Sequence, residues 1–439
     1  MKPINYNFTS KRISPWGGLR LVQEIYMRIG LRDRIKSLDL PYPRSNRGYD
    51  PADILEGFMI SIILGARRLC HTGSLRYDEV IAEIFGWKKG MASSSTFSRF
   101  FNKMDMATGK ANFIKLQKWW FELYQSDKLT IDIDSKVIQR YGEQGGVAKG
   151  YKGYSSHHPL IAFVSELNMV GHAQMRKGNS TDLSDFEIFF EELVEILGVK
   201  KIGLVRMDAG FYGKSALKVM EKHGVNYILG AHLKKHLINE IAEQREWLEL
   251  SDDKNPGTEY CAFNFKARGW EKERRVLIIR KNKKINPKAR GKLLFPDIEE
   301  FENYTYNAYV TNLELSGELL WGLYKKRANC ENKIKELIHD FGIEAYCMHS
   351  FDATFNVFAW TMIAYNLMAL FKQEVMKANK KIPMLSTVNF QCIALGSYIS
   401  KSGRTKTLNL AARKEKRRYL EKLFKNASHL KPPFLVPNA

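Results

Sequence analysis

Cysteine and acidic residues are both scarce in this chain of 439 residues. The five cysteines form no CxxC pair, and their odd number argues against a disulfide framework or a zinc ribbon. Such usage is typical of the reducing cytoplasm. Aspartate and glutamate number 47 against 69 lysines and arginines, which gives a formal net charge of +22. This charge is unusual for an enzyme of small neutral metabolites, and it implies a polyanionic partner.

Long apolar segments are also lacking. The first residues, MKPINYNFTSKRISPWGG, have no apolar region of the signal-peptide kind. The stretch from Phe355 to Phe371 is apolar, but it contains Asn356 and Asn366 and is shorter than the roughly 20 residues that span a bilayer. We therefore expect a core helix there, no membrane contact and a cytoplasmic location.

The basic residues are spread along the whole chain, from Lys11 and Arg12 to Arg417 and Arg418. Neutralising phosphates releases condensed counterions, so dispersed positive charge favours a large nucleic-acid footprint over one membrane-docking patch. With 44% apolar residues the chain can also bury the cores of two to three domains. Nucleic acid is the first candidate partner, and a membrane surface or a ribosome is the alternative.

The first 120 residues show helical periodicity. Apolar residues recur at spacings of three and four in GLRLVQEIYMRIGL and PADILEGFMISIILGARRL. Two shorter helical patterns flank a break at 86–90, and the second begins after Ser93, a good N-cap. This predicts a helix-turn-helix that presents Arg99 to DNA, with an ordinary helical pair as the alternative.

The pattern changes to strands at Leu129. LTIDIDSKVI, HPLIAFVSEL and MVGHAQMRKG are followed by helical patterns that alternate with KIGLVRMDAGF and VNYILGAH, the order of an RNase H-like α/β core. The predicted organisation is a helical DNA-binding domain at 1–120, the first part of the core at 129–239, a β-rich insertion at 240–315, the helical part of the core at 316–375 and a basic helical C-terminal region at 376–439.

Acidic residues fall on three different elements of this predicted core. Asp132 and Asp134 share one face of their strand, because alternate residues of a strand point to the same side. Asp208 follows a buried strand, at the end where α/β sheets carry function, and Glu331 lies on the helix after the insertion. We expect Asp134, Asp208 and Glu331 to hold two divalent cations, Mg²⁺ or Mn²⁺, with Asp132 as a weaker candidate.

Aromatic and basic residues accompany the glutamate. Tyr324, Arg327 and Glu331 lie at spacings of three and four, which places them with Lys335 on one face of a helix. In-line phosphodiester cleavage needs one metal ion to generate hydroxide and another to stabilise the leaving 3′ oxygen. Arg327 and Lys335 are then expected on the flanking phosphates, with Tyr324 as a further DNA contact, although Tyr324 and Arg327 bracing the helix is the simpler alternative.

These motifs resemble those of the DDE transposases of bacterial insertion sequences. YKKRANCE, from Tyr324 to Glu331, is similar to the Y-x2-R-x3-E signature of insertion-sequence groups four and thirteen-eighty. TIDIDS and RMDAGF resemble the blocks that carry the two aspartates of the family, and YGEQGGVAKGYKGYSSHHPLIAF resembles the block after the first aspartate. The family lysine after the glutamate is replaced by Ile338, so Lys333 or Lys335 would take its role.

The resemblance implies a metal-dependent endonuclease and strand transferase that carries out cut-and-paste transposition. Its expected substrate is double-stranded DNA, as terminal inverted repeats and as target, and its expected assembly is a homodimer in a synaptic complex near the bacterial nucleoid. Lys149 and Lys152 in the glycine-rich segment are further candidate DNA contacts. Two alternatives remain: an inactive DNA-binding protein derived from a transposase, and another nuclease with an RNase H-like core.

Overall fold

The computed structural model describes residues 4–251, 255–346, 348–378 and 382–436. The helices are α1 (Leu19–Arg28), α2 (Leu31–Lys36), α3 (Pro51–Ile63), α4 (Thr72–Leu75), α5 (Glu79–Phe85), α6 (Ser94–Phe101), α7 (Met106–Glu122), α8 (Phe186–Leu197), α9 (Lys214–Lys222), α10 (Lys235–Glu243), α11 (Gly317–Lys325), α12 (Ala328–His339), α13 (Phe351–Leu370), α14 (Leu385–Val388) and α15 (Lys414–Ser428).

The strands are β1 (Ile13–Ser14), β2 (Tyr124–Gln125), β3 (Leu129–Ser135), β4 (Ile138–Gln139), β5 (Ala148–Lys149), β6 (Ser155–His157), β7 (Leu160–Val164), β8 (Met169–Gln174), β9 (Ile202–Met207), β10 (Tyr227–Ala231), β11 (Leu248–Glu249), β12 (Thr258–Phe265), β13 (Arg274–Asn282), β14 (Lys292–Leu293), β15 (Tyr304–Thr311), β16 (Ser397–Ser402), β17 (Thr405–Leu410) and β18 (Phe434–Leu435). The chain divides into two compact units, which we call the helical unit (Met1–Tyr124, Arg140–Gly146 and Lys335–Leu435) and the sheet unit (Gln125–Gln139, Val147–Ile334 and Val436–Ala439).

The helical unit is built around α13, which packs against α3, α6 and α7. The segment Phe351–Val375 is apolar and long enough to cross a membrane by composition, but its most apolar part is entirely buried inside the protein, as expected of a core helix. Local capping sets the helix starts: Asp50 accepts from the Ala52 amide at α3, and Ser93 accepts from the Thr96 amide at α6. The predicted helical pair around Gly86 is therefore present as α5 and α6.

The sheet unit is organised by one large sheet with the strand order β11-β12-β13-β15-β10-β9-β3-β7-β8, to which β14 is added beside β15. Its centre is parallel, since β9 pairs in parallel with both β3 and β10. On one side β7 and β8 continue it in antiparallel fashion, and all five residues of β7 are buried. The predicted insertion does not form a separate sheet: β15, β13 and β12 extend the same sheet beyond β10.

Two predictions for the later part of the chain are wrong in detail. The segment from Gly317 to His339 was expected as one helix, but it is interrupted between α11 and α12, where the Arg327 amide donates to the Tyr324 carbonyl in a tighter i→i+3 bond. Residues 397–410 were expected to be helical and instead form the hairpin of β16 and β17. The β-branched residues Ile399, Thr405 and Thr407 on either side of Gly403 favour strands there over a helix.

Candidate active site

The parallel pairing of β3 with β9 brings Asp134 and Asp208 together. Asp132 on β3 lies opposite Arg206 on the parallel strand β9. Two residues further along both strands come Asp134 and Asp208, at the carboxyl ends where an α/β sheet exposes side chains. Asp208 also caps the short 3₁₀ turn that follows it, because its Oδ1 accepts from the Gly210 amide at 2.9 Å. The side chains of Asp134 and Asp208 are 15% and 47% exposed, so both are open to a ligand.

Asp132 has a structural role beneath this pair. It is fully buried, and its two oxygens accept from Arg206 Nε at 2.7 Å and Nη2 at 2.9 Å. Ser165 donates to the same carboxylate, and Arg206 Nη1 donates to the Leu323 carbonyl at 2.6 Å. Both oxygens of Asp132 are thus occupied by protein groups, which leaves Asp134 as the carboxylate of this strand that faces the cleft.

Arg327 lies between Asp134 and Asp208. Its Nη2 is 3.1 Å from Asp134 Oδ2 and 3.9 Å from Asp208 Oδ2. Burial raises the pKa of Asp134 to about 6, with Arg327 opposing the rise and Asp208 adding to it. Arg327 Nε is buried without a hydrogen-bond partner among the described residues. Asp134 and Asp208 bring two negative charges close together, and Arg327 is the positive group between them.

A third carboxylate, Asp182, lies beside this pair and was not recognised in the sequence. The helix α8 begins after Asp185, and Asp182 accepts from the Ser135 hydroxyl. The position that a Cβ would take at Gly210 is 2.2 Å from Asp182 Oδ2 and 3.1 Å from Asp208 Oδ1, so a side chain at this position would displace the Asp182 carboxylate. No pattern in the sequence marks Asp182, because its neighbours come from distant strands.

His158 supports the same corner of the site. Its Nδ1 donates to the Ser180 carbonyl at 2.7 Å, and its Nε2 lies 2.9 Å from Ser135 Oγ. Burial lowers the pKa of His158, so the ring is neutral at pH 7. Through this contact the ring holds Ser135, the residue directly after Asp134.

Glu331 does not form a cluster with Asp134 and Asp208 in this conformation. It is exposed on the first turn of α12, four residues after Arg327. Within the described ranges, no three His, Cys, Asp or Glu side chains lie close enough together to hold a metal ion. The third ligand position therefore remains a prediction.

The other predicted DNA contacts near the glutamate differ in exposure. Tyr324 is half-buried beside Tyr309, with ring centres 4.3 Å apart, and burial raises its pKa to about 12. Lys333 is only 5% exposed and its Nζ lies 5.5 Å from the Phe163 ring centre, so it cannot reach a DNA phosphate without leaving this position. Lys335 is exposed on the same helix.

The predicted DNA contacts outside this region are accessible. Arg99 is exposed on α6, the second helix of the α5–α6 pair. Lys149 is exposed just before the turn of the glycine-rich segment and Lys152 is exposed within it, and Gly153 has the positive φ that glycine tolerates.

Asp134 and Asp208 fit a hard divalent cation. Magnesium takes oxygen ligands, keeps several waters and needs only one or two carboxylates from the protein. The raised pKa of Asp134 reflects a buried negative charge that a cation would stabilise. The two aspartates are therefore the residues that would hold the ion, whereas Glu331 would have to turn toward them.

Comparison with known proteins identifies the family. The sequence model of the family described as "Transposase DDE domain group 1" matches residues 1–432. No curated protein matches the chain. Among solved structures, a cryo-EM structure of the piggyBac transposase synaptic complex with hairpin DNA is similar over 86% of this chain and 79% of that chain, with 8% identity and a TM-score of 0.45. On the match of the family model over nearly its whole length, the chain belongs to the DDE transposases of domain group 1.

Proposed function

We propose that this transposase cuts and joins DNA by metal-dependent in-line attack, with Asp134, Asp208 and Glu331 as the acidic ligands. The observation that carries the proposal is the pair of carboxylates at the ends of adjacent parallel strands, both within 4 Å of Arg327. DDE transposases generally use divalent metal ions. Bound Mg²⁺ or Mn²⁺, two ions per site, would activate water and stabilise the leaving 3′ oxygen.

The residues of the chain have separate tasks in this proposal. Asp134 and Asp208 bind the ions, and the Asp132–Arg206 pair fixes the strand register beneath them. Arg327 neutralises the two carboxylates when no other cation is present and is placed to contact a phosphate when one is. Glu331, one helical turn further on, completes the set by a rotation of its exposed side chain toward the aspartates.

The wider assignment is cut-and-paste transposition of a bacterial insertion sequence of the group-four or thirteen-eighty type. The central strand order, three antiparallel strands joined to two parallel ones, supports an RNase H-like core. The net charge of +22 supports double-stranded DNA as partner, both as terminal inverted repeats and as target. We further propose a homodimer in the synaptic complex and a cytoplasmic location at the nucleoid.

Cleavage of a duplex that carries the ends of the DNA flanking the gene tests the proposal. The wild type is expected to nick this duplex in magnesium and to join the 3′ end to target DNA, whereas Asp134→Asn, Asp208→Asn and Glu331→Gln bind the duplex without cutting it. Asp185→Asn is the matched control, because Asp185 is exposed and has a positive φ that asparagine tolerates. Binding without cleavage by the wild type would indicate an inactive relative, and nicking without joining would indicate another nuclease.

A further inference from the structure

The hairpin of β16 and β17 lies in a part of the chain that contains basic residues but no acidic ones. No aspartate or glutamate occurs between Glu374 and Glu415, although this interval contains eight lysines and arginines. Lys401, Arg404 and Lys406 sit at the end of the hairpin and are all exposed. A segment of this length without an acid presents a positive surface to any polyanion.

The hairpin is a two-stranded ribbon. β1 pairs only with Ser397 and Tyr398 at its base, and beyond that point β16 and β17 pair only with each other within the described residues. Ser402 lies opposite Thr405, which leaves Gly403 and Arg404 as a two-residue turn, with Gly403 at φ 59°. The ribbon is therefore about 20 Å long and one strand pair wide.

The two faces of the ribbon differ in chemistry, because directly opposite residues of an antiparallel pair share a face. One face carries only hydroxyl and amide groups, from Tyr398, Ser400, Ser402, Thr405, Thr407 and Asn409. Asn409 Nδ2 donates to Ser400 Oγ at 2.9 Å, so the polar groups at the base of this face are already ordered. The hydroxyl-bearing residues Ser402, Thr405 and Thr407 toward the turn are exposed.

The other face places like charges opposite each other. Lys401 is paired in register with Lys406, an arrangement that destabilises a strand pair in water. Lys406 has a partial counter-ion in Glu83, with Nζ 3.5 Å from Oε1. Lys401 has no carboxylate partner in the part of the chain that the structure describes. A bound polyanion would remove this repulsion.

We propose that this ribbon enters a groove of duplex DNA and reads base edges with its hydroxyl face while its lysines contact the backbone. The inference rests on the proposed function and adds a recognition element to it. The major groove is about 12 Å wide and admits a two-stranded ribbon. Serine and threonine hydroxyls bond to either kind of base edge, and lysines supply the sequence-independent phosphate contacts.

Selection from a pool of random 30-bp duplexes by the full-length protein tests the proposal. Thr405→Val with Thr407→Val removes two hydroxyls and keeps β-branched side chains that suit a strand. This double variant is expected to bind the sequence enriched by the wild type roughly ten- to a hundredfold more weakly, with little change on random duplex. Lys401→Gln is expected to weaken binding to both duplexes. It should also lower the slope of log affinity against log salt concentration by about 0.9.

Controls separate the possible outcomes. Lys118→Gln removes one charge from an exposed position of α7, and it should leave the enriched sequence and the preference for it unchanged. Circular dichroism and urea denaturation verify that the ribbon variants fold. If the wild type enriches a sequence and the double variant enriches the same one with equal preference, the ribbon does not read bases. If the wild type binds no duplex, the proposed function itself fails.

Discussion

Asp132 and Asp134 point to the same side of β3, and we predict opposite effects on stability when each is changed to asparagine. Asp132 neutralises Arg206, whose side chain is 2% exposed. An amide in its place leaves that guanidinium buried with no charge partner, and breaking a buried ion pair in this way costs about 3–5 kcal/mol. Because the free energy of unfolding of a native protein is only about 5–15 kcal/mol, this loss is a large fraction of its stability.

The ionised carboxylate of Asp134, unlike that of Asp132, lowers the stability of the folded protein. Its pKa is raised from 3.8 to about 6, so the folded protein disfavours the ionised carboxylate at neutral pH. A tenfold change in an acid dissociation constant corresponds to about 1.4 kcal/mol, so the raised pKa of Asp134 amounts to roughly 3 kcal/mol of destabilisation above pH 6. Asp134→Asn removes that charge and is expected to match or exceed the wild type in stability when no metal is bound.

Urea denaturation at pH 7.5 in the presence of EDTA, followed by circular dichroism, compares the two variants directly. Asp132→Asn should unfold at clearly lower urea than the wild type, and Asp134→Asn at the same or higher urea. Equal destabilisation of both variants would refute the distinction between a structural and a ligand-binding aspartate on this strand.

Three further results are expected. In metal-free buffer, the free energy of unfolding of the wild type relative to that of Asp134→Asn should fall as pH rises from about 4 to about 6. The reason is that Asp134 keeps its proton in the folded state and releases it in the unfolded state. A difference between the two proteins that does not depend on pH would contradict this. Glu56→Gln should destabilise the helical unit by about 3 kcal/mol in thermal denaturation, since buried Glu56 accepts from Tyr26, Arg32 and Trp87. Lys333→Met should raise stability by about 1–3 kcal/mol, because Lys333 Nζ is buried without a hydrogen-bond partner among the described residues; weaker DNA binding would favour the predicted contact instead.

Much of the local structure follows from short-range patterns. The strand around Asp134, the strand before Asp208 and the helix capped by Ser93 all occur where alternation, apolar runs and N-cap chemistry predict them. Strand order then brings Asp134 and Asp208 together, since residues at the carboxyl ends of adjacent parallel strands are neighbours. These features depend on a few residues at a time, which is why periodicity reveals them.

The features that depend on tertiary contacts were not predictable in the same way. No short-range pattern marks Asp182 as a site residue, because its carboxylate is bound by Ser135, 47 positions away. Lys333 reads as a surface lysine, but the close packing of α12 covers it. The break before α12 occurs where Arg327 is held by both aspartates, and the site of Glu331 depends on a side chain that this conformation leaves exposed.

Mapping of the bound metal by iron tests the central claim most directly. Fe²⁺ in place of Mg²⁺, with ascorbate and peroxide, generates radicals that cut the polypeptide near the ion, and mass spectrometry locates the cuts. On the protein bound to duplex DNA we predict cuts around Asp134, Asp208 and Glu331, all suppressed by excess Mg²⁺ and lost in Asp208→Asn. Cuts at the two aspartates without any near Glu331, or cuts that persist in Asp208→Asn, would contradict a metal centre built from these three acids.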